Sequence, residues 1–325
     1  MKYYFGADIG SSKTQILIAD ERGQIAGTGL AGPGNHQTVG YEGMYSALQD
    51  GITQALDEAR ITVKDISGSG FGISGYDWPS DEPEMVETIN RFNLQAPFEM
   101  HNDAILGLVA GAEQGWGIAV VSGSGCNCWG WDRDRKHIGR VTGFGDLTGE
   151  AAGSTELVYR AMQLVAYAWT KRGQETALTQ VFIDYVGAKD TVDLLEGYTT
   201  GRIRVDGSAA PLVFQVAEAG DPVAGKLIHW AGSELGELAK AVIRQLNFQD
   251  INFDIVLVGS MFEGGSLLVD PMRETIQQLA PGARLVKLSV PPVIGALLLG
   301  MQSGGLQPTP EIRKMLTDSF ARGPR

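Results

Sequence analysis

Apolar and polar positions separate sharply from the start of the chain. Tyr3, Tyr4 and Phe5 lead to Asp8, a polar turn runs through Gly10-Ser11-Ser12-Lys13-Thr14, and Ile16-Leu17-Ile18 closes on Asp20. Aromatic and β-branched runs around a short polar turn predict a strand–turn–strand hairpin. A third strand is expected around Gln24-Ile25-Ala26. Met44, Leu48, Ile52, Leu56 and Ala59 then recur every three or four residues, the period of an amphipathic helix. A glycine-spaced strand over 68–74, a short helix through Met85 and Ile89, a strand at Phe98-Glu99-Met100 and a small-residue helix over 104–112 complete the order βββαβαβα. Strands alternating with helices predict a mostly parallel sheet with covered faces.

The second half begins in the same way. Gly117 to Val121 reads as a strand, Ser122-Gly123-Ser124-Gly125 as a glycine turn, and Cys126 to Trp131 as a returning strand. Two related domains are therefore expected. After a glycine-rich connection over 139–153 comes a long helix with Leu157, Ala161, Leu164 and Ala168 on one face, and further helices fill 176–219. Asp221-Pro222 places an N-cap and a first-turn proline at the start of another long helix. A buried strand over 254–258 ends at Gly259-Ser260. A helix over 272–279, a strand over 285–288, a helix from Pro292 and a short helix over 312–320 follow.

Composition adds limits. The 325 residues leave room for two domains. Glycine, at 44 residues, is nearly double its usual share, and its clustering in polar turns predicts backbone that approaches ligands closely. A net charge of −12 leaves no basic footprint for nucleic acid or an anionic membrane. The longest apolar run, around 293–301, is too short to span a bilayer, and a strand bearing Asp8 is not the pattern of a signal peptide. Cys126 and Cys128 are the only cysteines and too close together to staple distant parts, so a reduced, cytoplasmic setting is expected.

The first turn carries candidate chemistry. Gly10 leaves no Cβ between its N–H and a ligand, Ser11 and Ser12 offer hydroxyls, Lys13 an ammonium and Asp8 a carboxylate. Those are the parts a nucleotide phosphate and its Mg²⁺ need. A solvated hairpin tip explains the same residues equally well. Neither a GxxxxGK[ST] loop nor a GxGxxG turn before a helix occurs. Glycine turns at Gly10, Gly34, Gly123 and Gly259 fall at strand ends, where α/β sheets bind ligands. Asp103 reads either as a functional carboxylate or as a helix N-cap, and Asn35 as a ligand or an αL turn residue. Cys126 and Cys128, with no histidine at zinc spacing, read as strand residues. The four histidines share no spacing, and Trp129 and Trp131 read as packing.

DIGSSKT (8–14), SGSGCNCWG (122–130) and VLVGS (256–260) resemble the two phosphate loops and the adenosine loop of the actin–hexokinase ATPase superfamily. The chain is most similar to the N-acetylglucosamine kinase group of the BadF/BadG/BcrA/BcrD ATPase family. PGN at 33–35, GISG at 72–75, ND at 102–103, DPVA at 221–224 and PPVIGALLLG at 291–300 fit as well. The resemblance implies an α/β chain of two ribonuclease H-like, actin-like ATPase domains, 1–114 and 115–325, with a cleft between them and the last helices free to pack back on the first. It implies ATP- and Mg²⁺-dependent phosphorylation of an amino sugar or N-acetylated amino sugar by a cytoplasmic homodimer. Gly10, Ser11, Ser12, Lys13 and Thr14 would hold phosphates from one side, and Gly123, Ser124 and Gly125 from the other. Asp8 would hold the metal, and Gly259 with Ser260 the adenosine. Asp103 would be the base, and Asn35, Ser74, Gly75 and Asn102 would contact the sugar.

One stretch departs from the relatives. Where they carry Gly-Trp-Gly and then Gly-Asp-Glu-Gly-Ser, this chain has Gly143-Phe144-Gly145 and Gly149-Glu150-Ala151-Ala152-Gly153. Phe144 lacks the indole donor and Glu150 is one methylene longer, so both are expected to shape the sugar side. Two other readings stand beside the kinase: an ATPase activator of an iron–sulfur dehydratase, and a non-catalytic sugar sensor of the same fold.

Overall fold

The computed structural model describes residues 1–323. The chain divides into two compact units, one of residues 1–117 with 288–325 and the other of residues 118–287. The sequence reading places a boundary after residue 114 and leaves the last helices free to pack back on the first domain. By contacts, the C-terminal helices fall with the N-terminal residues.

In the first unit, β1 (Tyr3–Ile9), β2 (Thr14–Asp20) and β3 (Ile25–Ala31) form the antiparallel arm of a sheet. The helix α1 (His36–Ala59) follows, starting earlier than its apolar period because Asn35 caps it, and kinked at Gly40. Then come β4 (Ile66–Ile73), α2 (Glu82–Asn90), β5 (Phe98–Asn102) and α3 (Asp103–Gly111). The sheet order is β3-β2-β1-β4-β5, with β1, β4 and β5 parallel. Half its pairings are thus antiparallel, and the expected mostly parallel sheet is a mixed one. Hairpins need only short turns, whereas each parallel step needs a helical crossover, which α1 and α2 supply.

The second unit repeats that plan. Its strands are β6 (Gly117–Ser122), β7 (Cys126–Trp131) and β8 (Ile138–Val141), and its helices begin with α4 (Ser154–Trp169), α5 (Leu178–Val186), α6 (Thr191–Thr199), α7 (Ala210–Glu218) and α8 (Pro222–Leu246). β9 (Phe253–Val258), α9 (Ser266–Gln277) and β10 (Ala283–Lys287) complete it. Its order, β10-β9-β6-β7-β8, is that of the first sheet with each strand in the matching place. Asp221 caps α8 through the N–H groups of Val223 and Ala224, as its sequence predicts.

The chain ends with α10 (Val293–Ser303) and α11 (Pro310–Arg322) in the first unit. α10 lies against β1 and β4 with its backbone almost on the sheet. A Cβ on Gly6 would run into the backbone of Leu297, and one on Gly70 into the carbonyl of Ala296. Part of the glycine excess therefore serves helix-on-sheet packing rather than ligand approach.

Candidate functional site

The first unit gathers its candidates at the carboxyl ends of β1, β4 and β5. The turn after β1 is closed by Gly10 N–H donating to the Lys13 carbonyl at 2.9 Å, and Gly34 N–H donates to the Gly10 carbonyl at 3.0 Å. Ser11, Ser12 and Lys13 are exposed on this turn, while Thr14 is fully buried with no partner for its hydroxyl, behind Gly34. Thr14 therefore supports the turn from inside.

Asn35, Ser74 and Ser11 meet there. The Asn35 amide donates to Ser11 Oγ at 2.9 Å and to Ser74 Oγ at 3.5 Å, and the two hydroxyls lie 3.2 Å apart. Asn35 Oδ1 accepts the Gln37 N–H at 2.9 Å, which caps α1. Its backbone is extended, not left-handed, so it is a cap rather than the αL turn residue that the sequence also allowed. Gly75, at φ +84, places its α-carbon where a side chain would press on Asn35 Oδ1.

The junction of β5 and α3 removes the cap reading of Asp103. Asn102, not Asp103, is the N-cap, accepting the Ala104 N–H at 3.0 Å. Asp103 is thus the first helical residue, with its carboxylate near the positive end of α3. Burial pushes Asp103 up to about 6, and the Asp77 charge adds to this, while hydrogen bonds from Ala104 N–H and the Ser74 hydroxyl oppose it. Burial and then Asp103 push Asp8 up to about 7, with Lys13 opposing. A carboxylate held near neutral pH and given hydrogen-bonding company has the properties of a general base.

Asp77 was not singled out as a site residue. It is 6% exposed and accepts from Asn102 Nδ2 at 3.1 Å and Gln37 Nε2 at 3.3 Å. In the sequence it is only the end of a Gly-Tyr-Asp stretch after a strand, and nothing local marks it as buried.

The second unit carries the matching turn between β6 and β7. A Cβ on Gly123 or Gly125 would meet no atom within 4 Å, so their backbone is open to a ligand, and Ser124 is exposed. Gly259 has φ +114, and a side chain there would strike the Ser122 carbonyl. Ser260 lines a cavity of about 390 Å³ with Phe214, Gln215, Glu218, Met261 and Glu263. That volume suits a nucleoside. Phe144 and Glu150 lie in this unit, where Glu150 is buried and accepts a hydrogen bond from the Thr148 hydroxyl. Ala152, next in the chain but one, holds a strained φ of +102.

The donors suit Mg-ATP. Among the described residues, no three His, Cys, Asp or Glu side chains form a preformed metal cluster. Mg²⁺ keeps several waters and binds through one or two carboxylates plus phosphates, so Asp8 alone is an adequate protein contribution. Its raised pKa marks a carboxylate that a cation would relieve. Cys126 and Cys128 are both buried, and burial drives Cys126 up to about 12. Thiols so placed are poor cluster ligands, which weighs against an iron–sulfur activator.

Two sheets of one strand order, each with a glycine turn after its first strand, define an actin-like ATPase fold. The chain belongs to the BadF/BadG/BcrA/BcrD ATPase family, whose model matches residues 5–300. It is 26% identical over 313 residues to the N-acetyl-D-glucosamine kinase of Dictyostelium discoideum, covering 92% of this chain and 98% of that one. It is 25% identical over 301 residues to the N-acetylmuramic acid/N-acetylglucosamine kinase of Clostridium acetobutylicum, with the same coverage. A solved structure from Chromobacterium violaceum, provisionally named an N-acetylglucosamine kinase, matches with a TM-score of 0.68 at 25% identity, covering 92% of this chain and 99% of that one.

Proposed function

We propose that this protein is an ATP-dependent kinase of an amino sugar or N-acetylated amino sugar. The observation that carries the reading is Asp103, a carboxylate raised toward neutrality at the start of α3 and held by Ser74. Phosphoryl transfer is mostly positioning and electrostatics, so one carboxylate at hydrogen-bond distance from a hydroxyl serves as the base. The Dictyostelium and Clostridium relatives point to the sugar class, since both act on N-acetylglucosamine by name.

Asp103 takes the proton of the attacking sugar hydroxyl. Asn35 and Ser74 orient the sugar through their remaining hydrogen-bonding capacity. Gly10, Ser11, Ser12 and Lys13 hold phosphate oxygens in the first unit, and Gly123, Ser124 and Gly125 do so in the second. The cavity at Ser260 takes the adenosine. Asp8 is the residue that would hold Mg²⁺, which would supply neutralisation of phosphate charge when bound. Phe144 and Glu150 shape specificity among sugars.

A coupled ADP-release screen tests this over N-acetylglucosamine, glucosamine, N-acetylmuramate, galactosamine and glucose. The expected result is ATP- and Mg²⁺-dependent turnover with one or more of the amino sugars. Turnover with glucose alone, or none with any sugar, rejects the assignment.

A further inference from the structure

We propose that Asp77 is a positioning residue of the phosphoryl-transfer site, and that Asn102 serves the base through it rather than touching the sugar. The inference rests on the kinase reading and assigns Asn102 a different part in it.

A buried carboxylate costs several kcal/mol unless its oxygens are hydrogen-bonded. Asp77 meets that cost with side-chain amides from two separate segments. Gln37 Nε2, in the first turn of α1, donates to Oδ2 at 3.3 Å, and Asn102 Nδ2, at the end of β5, donates to Oδ1 at 3.1 Å. Gln37 also donates to the Gly75 carbonyl at 3.2 Å. Asp77 thus ties the start of α1, where Asn35 sits, to the start of α3, where Asp103 sits.

Asn102 has no donor left over. Its second amide hydrogen goes to the Tyr76 carbonyl at 3.3 Å, and its Oδ1 takes the Ala104 N–H. The direction of this amide is set by Asp77 and the Tyr76 carbonyl on one side and the Ala104 N–H on the other. A carboxylate only accepts, so Nδ2 must face it, which leaves Oδ1 facing the helix. Were residue 77 an amide, it would offer one oxygen where Gln37 and Asn102 now each have one, so either donor would meet an N–H and the hold on Asn102 would loosen. The cap of α3 would then be weakened, and Asp103 would be held less firmly at one place and angle. A displacement of about 1 Å at a reacting group can cost about 100-fold in rate.

The test is Asp77→Asn in the full chain, with the swap Asp77→Asn/Asn102→Asp beside it. In the swap the amide and the carboxylate trade places, and Asp at the cap position suits a helix as well as Asn does. Steady-state turnover with N-acetylglucosamine and Mg-ATP is measured at about pH 8, above the value of about 6 to which Asp103 is raised in the natural protein. Asp77→Asn is expected to lower kcat about 10- to 100-fold with the KM for ATP within about twofold of wild type. The swap should recover part of kcat. Hydrogen exchange at the first turn of α3 gives a readout independent of turnover: faster in Asp77→Asn, restored in the swap. Unchanged exchange there overturns the inference whatever the turnover. So does a kcat within twofold of wild type, or a kcat loss that the swap leaves untouched while the thermal midpoint falls. A wild-type protein inactive with every sugar rejects the kinase reading instead, and the exchange experiment still decides the role of Asp77.

Discussion

Ser11 and Ser74 hold their hydroxyl oxygens 3.2 Å apart, joining the turn after β1 to the turn after β4. One turn is the candidate phosphate cradle and the other stands beside the proposed base, so this single contact would couple the two functions. Ser74 also hydrogen-bonds the Asp103 carboxylate and lowers its pKa against the effect of burial. Ser74→Ala should therefore raise the KM for sugar and cut kcat, about 10-fold in kcat/KM, an effect of the size expected for losing one charge-assisted hydrogen bond. The thermal midpoint should move little, because the site lies at the surface end of the sheet. An unaltered KM for sugar would remove Ser74 from the sugar site.

Asp103 and Asp8 give the pH dependence a definite sign. Asp103 is pushed up to about 6, and as the proposed base it would work only when ionised. The kcat/KM for sugar should hold above that value and fall by about tenfold per pH unit below it, as for a single essential base. A profile that stays flat down to about pH 4.5, near the usual carboxylate range, would contradict a raised base.

Stability runs the other way. Burial raises Asp8 to about 7 in the folded protein. Between that value and its unfolded one, the folded state binds more protons, so stability falls as pH rises through the window. Asp8→Asn removes this burden. The metal-free variant should be more stable than metal-free wild type at about pH 8, by on the order of 1 kcal/mol after discounting for solvent screening, and the gain should vanish toward about pH 4. Added Mg²⁺ should raise the thermal midpoint of wild type in the presence of ATP and leave that of Asp8→Asn in place. A gain independent of pH would mean that Asp8 carries no raised charge cost.

Gly259 tests the second unit alone. Its φ of +114 disfavours any side chain, and a Cβ would press on the Ser122 carbonyl, which is backbone and cannot swing away. Gly259→Ala should cost about 2 kcal/mol or more in stability. It should also weaken nucleotide binding, read as the KM for ATP or by calorimetry. Full affinity for ATP in a folded variant would detach this turn from the adenosine cavity.

Much of this architecture is written in local sequence. The hairpin of β1 and β2, the period of α1, the Asp221 cap of α8 and the repeated strand–glycine turn–strand all depend on residues within one element or its flanks. What local pattern could not supply are relations between distant segments. Nothing local explains Gly6 and Gly70 inside their strands until α10, more than 200 residues away, lies on them. β8 is four residues with an exposed start inside a glycine-rich stretch, too short to show a period. Leu164 shares a helical stripe with Leu157 and Ala161, yet it is only partly buried and lines a groove with Trp230, while Met162 and Val165 fill the core instead. At the site, Asp103 and Asn35 are visible as candidates because each has a chemical type suited to the task proposed for it. Which residue caps α3 depended on the backbone at 102, and Asp77 on a burial that only the folded chain creates.

The claim at the centre of this account is that Asp103 is the base for sugar phosphorylation. Asp103→Asn keeps the shape of the side chain and removes the proton acceptor. With N-acetylglucosamine and Mg-ATP, sugar-dependent ADP release should fall by about 10²- to 10⁴-fold, the usual worth of a general base, while ATP binding measured by calorimetry persists. Turnover equal to wild type, with ATP still bound, would contradict the account.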